Sequence, residues 1–253
     1  MSRRRKLISF YARVVRTYAS RGPSLLLLAV IVFVPLGLID ALAAEVNTDS
    51  LDLSSGLKIA ALLAAVSAVT VTGLLGEVFY SGAVAISLTH PEHERPPSIP
   101  EIARRLNYAR LILVDVIYVA MVLVGMLAAV VPGVLVFVWF GLSGPVVELE
   151  DRTVRGALAR SWRLVQHNFW LVFFVLVPIE IVGDAIGEVL AGLVHDLLGH
   201  TLVAGWLAES VSNIFLTPVF AIAAVLLTVD LIAAKDGTGP RIEPVRTAAP
   251  STA

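Results

Sequence analysis

Cysteine is absent from this 253-residue chain, which excludes disulfides, thiolate metal sites and cysteine nucleophiles and leaves the redox compartment without a marker. Charge is scarce as well. Asp, Glu, Lys and Arg make up 15% of the residues, where a soluble domain carries about 25%. Lysine and arginine are missing from the interiors of the long apolar runs, with Lys58 at the rim of one. Histidine is missing from them too, since His90, His93 and His167 lie among the basic segments and His195 and His200 in the last loop on the opposite side. A net charge of -1 with no separate basic domain points away from nucleic acid. What remains is apolar: 57% hydrophobic residues and a mean hydropathy of +0.86 make the bilayer the solvent of this chain.

Six apolar stretches alternate with polar segments. All Lys and Arg except Lys58 fall before Ser24, between His90 and Arg110, between Arg152 and Arg163, or from Lys235 onward. Each basic segment therefore borders every second stretch, and the positive-inside rule makes those segments and both termini cytoplasmic. The first stretch is Ser24 to Ala44, interrupted by Pro35; the loop Glu45 to Gly56, with Glu45, Asp49 and Asp52, is external. The second, Leu57 to Leu88, would measure about 48 Å as one helix against a core near 30 Å, so it must tilt, protrude or bend at Gly73 to Gly76. The third and fourth, Leu111 to Val131 and Val134 to Val147, are separated by Pro132 and Gly133 as a tight external hairpin, and Gly144 with Pro145 weakens the end of the short fourth. The fifth runs from Phe169 to about Val194 through Pro178, the sixth from about Val203 to Ala234 through Pro218. The tail, 235–253, has no apolar face to pack and is expected to be disordered.

Three segments have helical rather than continuous periodicity. Leu7, Phe10, Tyr11, Val14, Val15 and Tyr18 form a stripe with Arg13 and Arg16 facing away, so 1–23 is expected as a cytoplasmic amphipathic basic helix. The second begins with Ser98 and Glu101 at capping-box spacing, with Pro100 in its first turn and Ile99, Ile102, Ala103 and Leu106 striped against Arg104 and Arg105. In the third, Val154, Ala157, Leu158, Ser161 and Val165 oppose Arg152, Arg155, Arg163 and Gln166. Fragments around Arg13, Arg104 and Arg160 align, and each precedes an outward-going stretch, which suggests three units of interfacial helix plus hairpin. The fold class is thus an all-α membrane protein: six transmembrane helices over 24–234 with three amphipathic interfacial helices. Arg13, Arg16, Arg104, Arg105, Arg155 and Arg163 are the expected contacts to anionic lipid heads.

The runs Val131 to Val136, Gly144 to Glu150, Gly156 to Leu164 and Asn168 to Trp170, with Pro218 to Ala223 and Leu226 to Leu231 near the end, resemble the six-helix membrane domain of the glycerophosphodiester phosphodiesterase family. Where that domain usually has an aromatic pair before the aspartate of its last span, this chain has Thr228 and Val229 before Asp230. The resemblance implies an integral membrane domain. The catalytic barrel of some relatives has no counterpart among the segments between apolar stretches, so the resemblance carries no phosphodiesterase activity and no enzyme is expected.

Acidic residues within the stretches carry the remaining chemistry. Glu77, Asp115, Glu180, Asp184 and Asp230 have no basic neighbour within their own stretches, and a carboxyl in hydrocarbon must be protonated, paired, or engaged with a cation or proton. Glu180, Asp184 and Glu188 recur every four residues, one acidic face that should look into the bundle and form, with Glu77, an intramembrane polar site. Gly183 and Gly187 beside it spell GxxxG, a close-approach motif. Asp115 and Asp230, near cytoplasmic ends, are expected to pair with Arg105 or Arg110. Gly141-Leu142-Ser143-Gly144 spells the serine motif of rhomboid-type proteases, but such a hydroxyl needs a histidine base beside it, and none lies in a span; Ser143 reads as a packing residue. His195 and His200, five apart, do not match a helical metal pair, so no metal or other cofactor is expected. Ala41-Leu42-Ala43 imitates a cleavage site, yet the long striped segment before it favours an uncleaved first span. The leading role is a non-enzymatic structural, lipid-organising or assembly one, with membrane lipids and a membrane-protein partner or a second copy as partners. The alternative is a transporter or channel for a small solute, proton or cation.

Overall fold

A computed structural model describes residues 3–44, 76–89, 97–199 and 201–237. Among these residues there are nine helices and no strand: α1 (Arg3–Ala44), α2 (Glu77–Thr89), α3 (Ile99–Arg105), α4 (Tyr108–Ala128), α5 (Val130–Phe140), α6 (Ser143–Glu150), α7 (Val154–Val165), α8 (Phe169–Leu198) and α9 (Leu202–Asp236). Five segments are long and apolar enough to cross a membrane: Leu7–Leu38, Tyr108–Ala128, Val130–Glu150, Phe169–Leu198 and Leu202–Asp236. The apolar α2 is shorter, with 13 residues; the first part of the second stretch, the external loop with Glu45, Asp49 and Asp52, and the tail beyond residue 237 lie outside the described residues. The chain is a helical membrane protein.

α9 is the hub. From Phe220 to Leu227 every side chain is buried, and the small Ala221, Ala223 and Ala224 let neighbours approach from several sides. Its longest partner is α1, which runs antiparallel beside it: the Trp206 indole N–H donates to the Val34 carbonyl at 2.9 Å, and Tyr18 donates to the Phe215 carbonyl at 3.2 Å. Close approach at one end depends on Gly37, where a Cβ would stand 2.6 Å from the Ser210 hydroxyl. The expected boundary between an interfacial helix, 1–23, and a first span is not a break. α1 continues through Pro23 and Pro35 for 42 residues, about 63 Å of helix, because Phe10, Val14, Leu25, Leu28 and Phe33 all bury one continuous stripe. Ala41, Leu42 and Ala43 lie within this helix.

The hairpin between the third and fourth stretches turns at Ala129, whose extended backbone (φ -177°, ψ 162°) separates α4 from α5, rather than at Pro132 and Gly133. Those residues sit in the first turn of α5, where proline costs no backbone hydrogen bond. Gly133 is there for packing: a Cβ on Gly125 would meet its Cα at 2.9 Å. The fourth stretch breaks at Gly141 and Leu142, one turn before the weak point expected at Gly144 and Pro145, which instead lie in the first turn of α6. Eleven residues of α5 extend about 16 Å, half a bilayer core, so this stretch crosses only as a broken pair. Gly144 makes α6 fit. A Cβ there would lie 2.2 Å from the Val78 carbonyl of α2.

Proline in α8 is compensated across the bundle. Pro178 has no N–H to offer the carbonyl four residues back, and the Tyr11 hydroxyl of α1 donates to that Phe174 carbonyl at 2.7 Å. At the same level Phe169, Trp170, Phe173 and Phe174 form a chain of ring contacts, with centroids 5.3 to 5.7 Å apart between successive rings, of the kind that marks a membrane interface.

α3 and α7 are short helices between longer ones. The Ser98 N–H donates to the Glu101 carboxylate at 2.6 Å, the reciprocal bond of the expected capping box. Thr153 caps α7 by accepting from Gly156 N–H at 3.3 Å. Ala157, Ser161, Leu164 and Val165 of α7 are buried, while Arg155 and Arg163 are exposed; Arg16, Arg104 and Arg105 are exposed too.

Candidate functional site

The basic end of the bundle holds several ion pairs, and they are not the ones expected. Asp230 pairs with Arg13, not with Arg105 or Arg110, because the antiparallel course of α1 along α9 brings them together. Arg13 also lies over the Phe10 ring at 5.1 Å, which leaves it less free for lipid than Arg16. Arg110 donates to Asp151 at 2.6 Å. Asp115 pairs with no arginine among the described residues. It is 2% exposed and accepts from the Gly76 N–H at 2.8 Å. Gly76 has φ +106°, which glycine adopts without strain, and α2 begins immediately after it. The carboxylate thus stands at the N-terminus of α2, where the free N–H groups and the helix dipole favour negative charge. The bend expected at Gly73 to Gly76 is this helix start; Gly73 itself lies outside the described residues.

Arg160 is the basic residue that the two faces of α7 leave unassigned. It lies on the buried side of α7, 8% exposed, and its guanidinium donates to Glu150 through Nε at 3.0 Å and Nη2 at 2.8 Å, and to Asp236 at the end of α9. Burial alone would work against the charge. Hydrogen bonds and attraction from both carboxylates outweigh it and hold the guanidinium more firmly protonated than usual.

The acidic residues gather away from that end. α8 rises roughly 16 Å from Phe169 to Glu180, and Glu180, Asp184 and Glu188 follow on one face. They line a cavity of about 740 Å³ together with Glu77 at the start of α2 and with Glu209, Ser212, Asn213 and Thr217 of α9. All four residues of the expected polar site line this cavity, but only Glu77 is buried; Glu180 is half-buried, while Asp184 and Glu188 are exposed rather than turned into the bundle, and Glu209 and the α9 amide and hydroxyls join them. On α9 the Asn213 amide donates to Glu209 at 3.2 Å and Thr217 donates to the Asn213 carbonyl oxygen at 3.5 Å, a ladder at four-residue spacing. Among the described residues lining the cavity there is no lysine or arginine. His195, in the last turn of α8 rather than in a loop, reaches its rim and its Nδ1 lies 2.8 Å from the Ala191 carbonyl.

Glu77 is the most constrained member. It is 7% exposed, and its Oε2 has no hydrogen-bond partner among the described residues. Tyr118 of α4, fully buried, lies near enough to Glu77, Glu180 and Asp115 to feel their charge, and its hydroxyl is likewise without a partner. Burying such groups unpaired is costly, so the arrangement is one that a cation, a proton or a hydrogen-bonding solute entering the cavity would relieve. Among the described residues no three His, Asp or Glu side chains converge to hold a metal ion.

The GxxxG pair is divided: a Cβ on Gly183 would meet nothing within 4 Å, whereas at Gly187 α9 approaches, with Ser212 3.7 Å from such a Cβ and its hydroxyl donating to the Gly187 carbonyl at 3.5 Å; both glycines also line the cavity. Ser143 is fully buried and its hydroxyl has no partner among the described residues; His90, His93 and His200 lie outside them.

Fold and cavity together define a helical membrane protein with an acidic cavity between its helices. No protein family, curated protein or solved structure matches the chain.

Proposed function

We propose that the protein binds a cationic solute or proton inside the bilayer and acts as a carrier or channel for it, the reading ranked second on sequence alone. The observation that carries this is the cavity of about 740 Å³ with Glu77, Glu180, Asp184, Glu188 and Glu209 on its walls and no lysine or arginine among its described lining residues. A scaffold needs no such concentration. Five carboxylates kept near one another repel, and a structural role would leave that repulsion uncompensated, whereas a mobile cation offsets it.

The rest of the proposal is topological. The second stretch completes six transmembrane spans, α3, α7 and the first turns of α1 lie in the interface, and the basic end and both termini face the cytoplasm of a cell membrane. The exposed Arg16, Arg104, Arg105, Arg155 and Arg163 contact anionic lipid heads there, each contributing about 1 kcal/mol at low salt. Kinship with the phosphodiesterase-associated membrane domain enters only as a six-helix plan without an activity. Assembly with a second copy or a membrane partner is compatible with this reading.

Proteoliposomes test it. Wild type should pass protons or a monovalent cation down an imposed gradient, and Glu180→Gln and Asp184→Asn should abolish that flux while retaining the size-exclusion profile of the folded protein. Absence of flux and of cation binding in a correctly folded wild type would return the scaffold reading to first place.

A further inference from the structure

Beside the acidic cavity lies a second chamber of about 540 Å³, and the two share Glu77, Glu180, Asp184, Glu209 and Asn213. Its other described walls carry no polar side chain. Val122 and Met126 of α4, Val134 and Phe137 of α5, and Val177 of α8 face it, and the rim is formed by Val130 and Ile181. Those rim residues are exposed, Val130 at 69% and Ile181 at 62%, with Met126 at 40%. In a membrane-spanning chain, exposed apolar side chains at this depth face acyl chains. The exposed lining residues thus lie at the α4–α5 turn and on α8, while Glu77 and Phe137 on the same chamber are buried.

We infer that the solute is an amphiphilic organic cation, a protonated or quaternary amine bearing a ring or branched alkyl group, which reaches the site laterally from the bilayer. This rests on the cation reading above. An inorganic ion would have no use for the apolar walls, and the carboxylates do not converge as a metal needs. An amine placed at Glu77, Glu180 and Asp184 leaves its hydrophobic part in contact with Val134 and Phe137. Phe137 is itself held by ring contacts to Tyr118 at 6.4 Å and Phe220 at 5.9 Å, so this wall is rigid. A zwitterionic lipid head is disfavoured by the same geometry, since its phosphate would meet carboxylates with no described lysine or arginine on the walls to receive it. Buried and unpartnered, Glu77 Oε2 supplies the acceptor that a cationic head would engage.

Equilibrium binding to the full-length protein in nanodiscs tests this with three probes: benzyltrimethylammonium, tetramethylammonium, and neopentylbenzene as the neutral isostere of the first. Benzyltrimethylammonium should bind about tenfold or more tightly than tetramethylammonium, the gain from burying one ring, and the isostere should not compete with it. Val134→Phe, which fills the apolar chamber, should erase the difference between the two cations without affecting tetramethylammonium. Nanodiscs with and without ethanolamine lipid should give the same affinities, and inhibition only by that lipid would assign the site to a lipid head instead. Equal affinity for the two ammonium ions in wild type would overturn the amphiphile inference while the cation reading stands. Failure of every cation to bind, in protein that elutes as folded, would overturn both.

Discussion

Replacing Arg160 by methionine should be the most damaging single change at the basic end. The side chain is 10% exposed and Glu150, its main partner, 14%, so neither charge is well solvated after the loss. Removing one partner of a buried ion pair costs about 3 to 5 kcal/mol, chiefly because the other charge stays behind. Two features place this case at the lower bound. Glu150 retains Arg152 at 2.9 Å, and Asp236 is 41% exposed and can return to water. The expected loss is therefore about 3 kcal/mol. Thermal and denaturant unfolding in a mild detergent would measure it, with α7 docking followed by proteolysis of the segment around Arg155. Glu150→Met combined with Arg160→Met should cost clearly less than the sum of the two single changes, since the double variant leaves no orphaned charge in the pair. An Arg160→Met protein within about 0.5 kcal/mol of wild type, a typical surface change, would refute the network as a stabilising element.

Three further outcomes follow from the packing and the charge pattern. Gly144→Ala should destabilise by about 1 to 3 kcal/mol, because its new methyl meets the Val78 backbone carbonyl, whereas Gly183→Ala, with nothing within 4 Å, should leave the melting temperature unchanged; equal effects would contradict the α2–α6 contact. Tyr11→Phe should cost about 1 kcal/mol by freeing the Phe174 carbonyl, and the same change in a Pro178→Ala background should be nearly neutral because an N–H then reaches that carbonyl; equal costs in both backgrounds would refute the compensation. The chain has no cysteine, so Asp196→Cys and Arg155→Cys each create a single label site: an impermeant maleimide on intact cells should modify the first and not the second, and the reverse pattern would invert the topology.

The acidic face of α8 was legible because residues four apart must share a helix side, and that holds whatever surrounds the helix. Glu209, Asn213 and Thr217 repeat the same spacing on α9 and were overlooked, since a single carboxyl near the end of a long apolar run reads as an interface residue. Their ladder was the available signal. Arg160 shares the buried side of α7 with Ala157 and Leu164 by helical spacing, but its partners, Glu150 and the Asp236 that follows 76 residues later, are not legible in that spacing. Pairing at the basic end was illegible in the same way, because Arg13 and Asp230 stand 217 residues apart and a shared cytoplasmic end does not say which arginine, Arg13, Arg105 or Arg110, lies beside Asp230. Breaks were seen one turn away from where they fall. Pro132 and Pro145 announce helix starts as well as ends, and which they do depends on neighbours such as Gly125 and Val78.

The bond between Asp115 and the Gly76 amide also has a consequence for biogenesis. A chain entering the membrane from its N-terminus presents the start of α2 before the carboxylate that receives it, which lies 39 residues further along. At about 5 to 20 residues per second, the ribosome needs roughly two to eight seconds to supply it. During that interval the leading amides of α2 have no acceptor from α4, and hydrocarbon offers none. Segment 77–89 would consequently be expected to wait in a hydrated or translocon-sheltered position until α4 arrives. The later helix receives the earlier one, and the order of assembly in the bilayer departs from the order of synthesis.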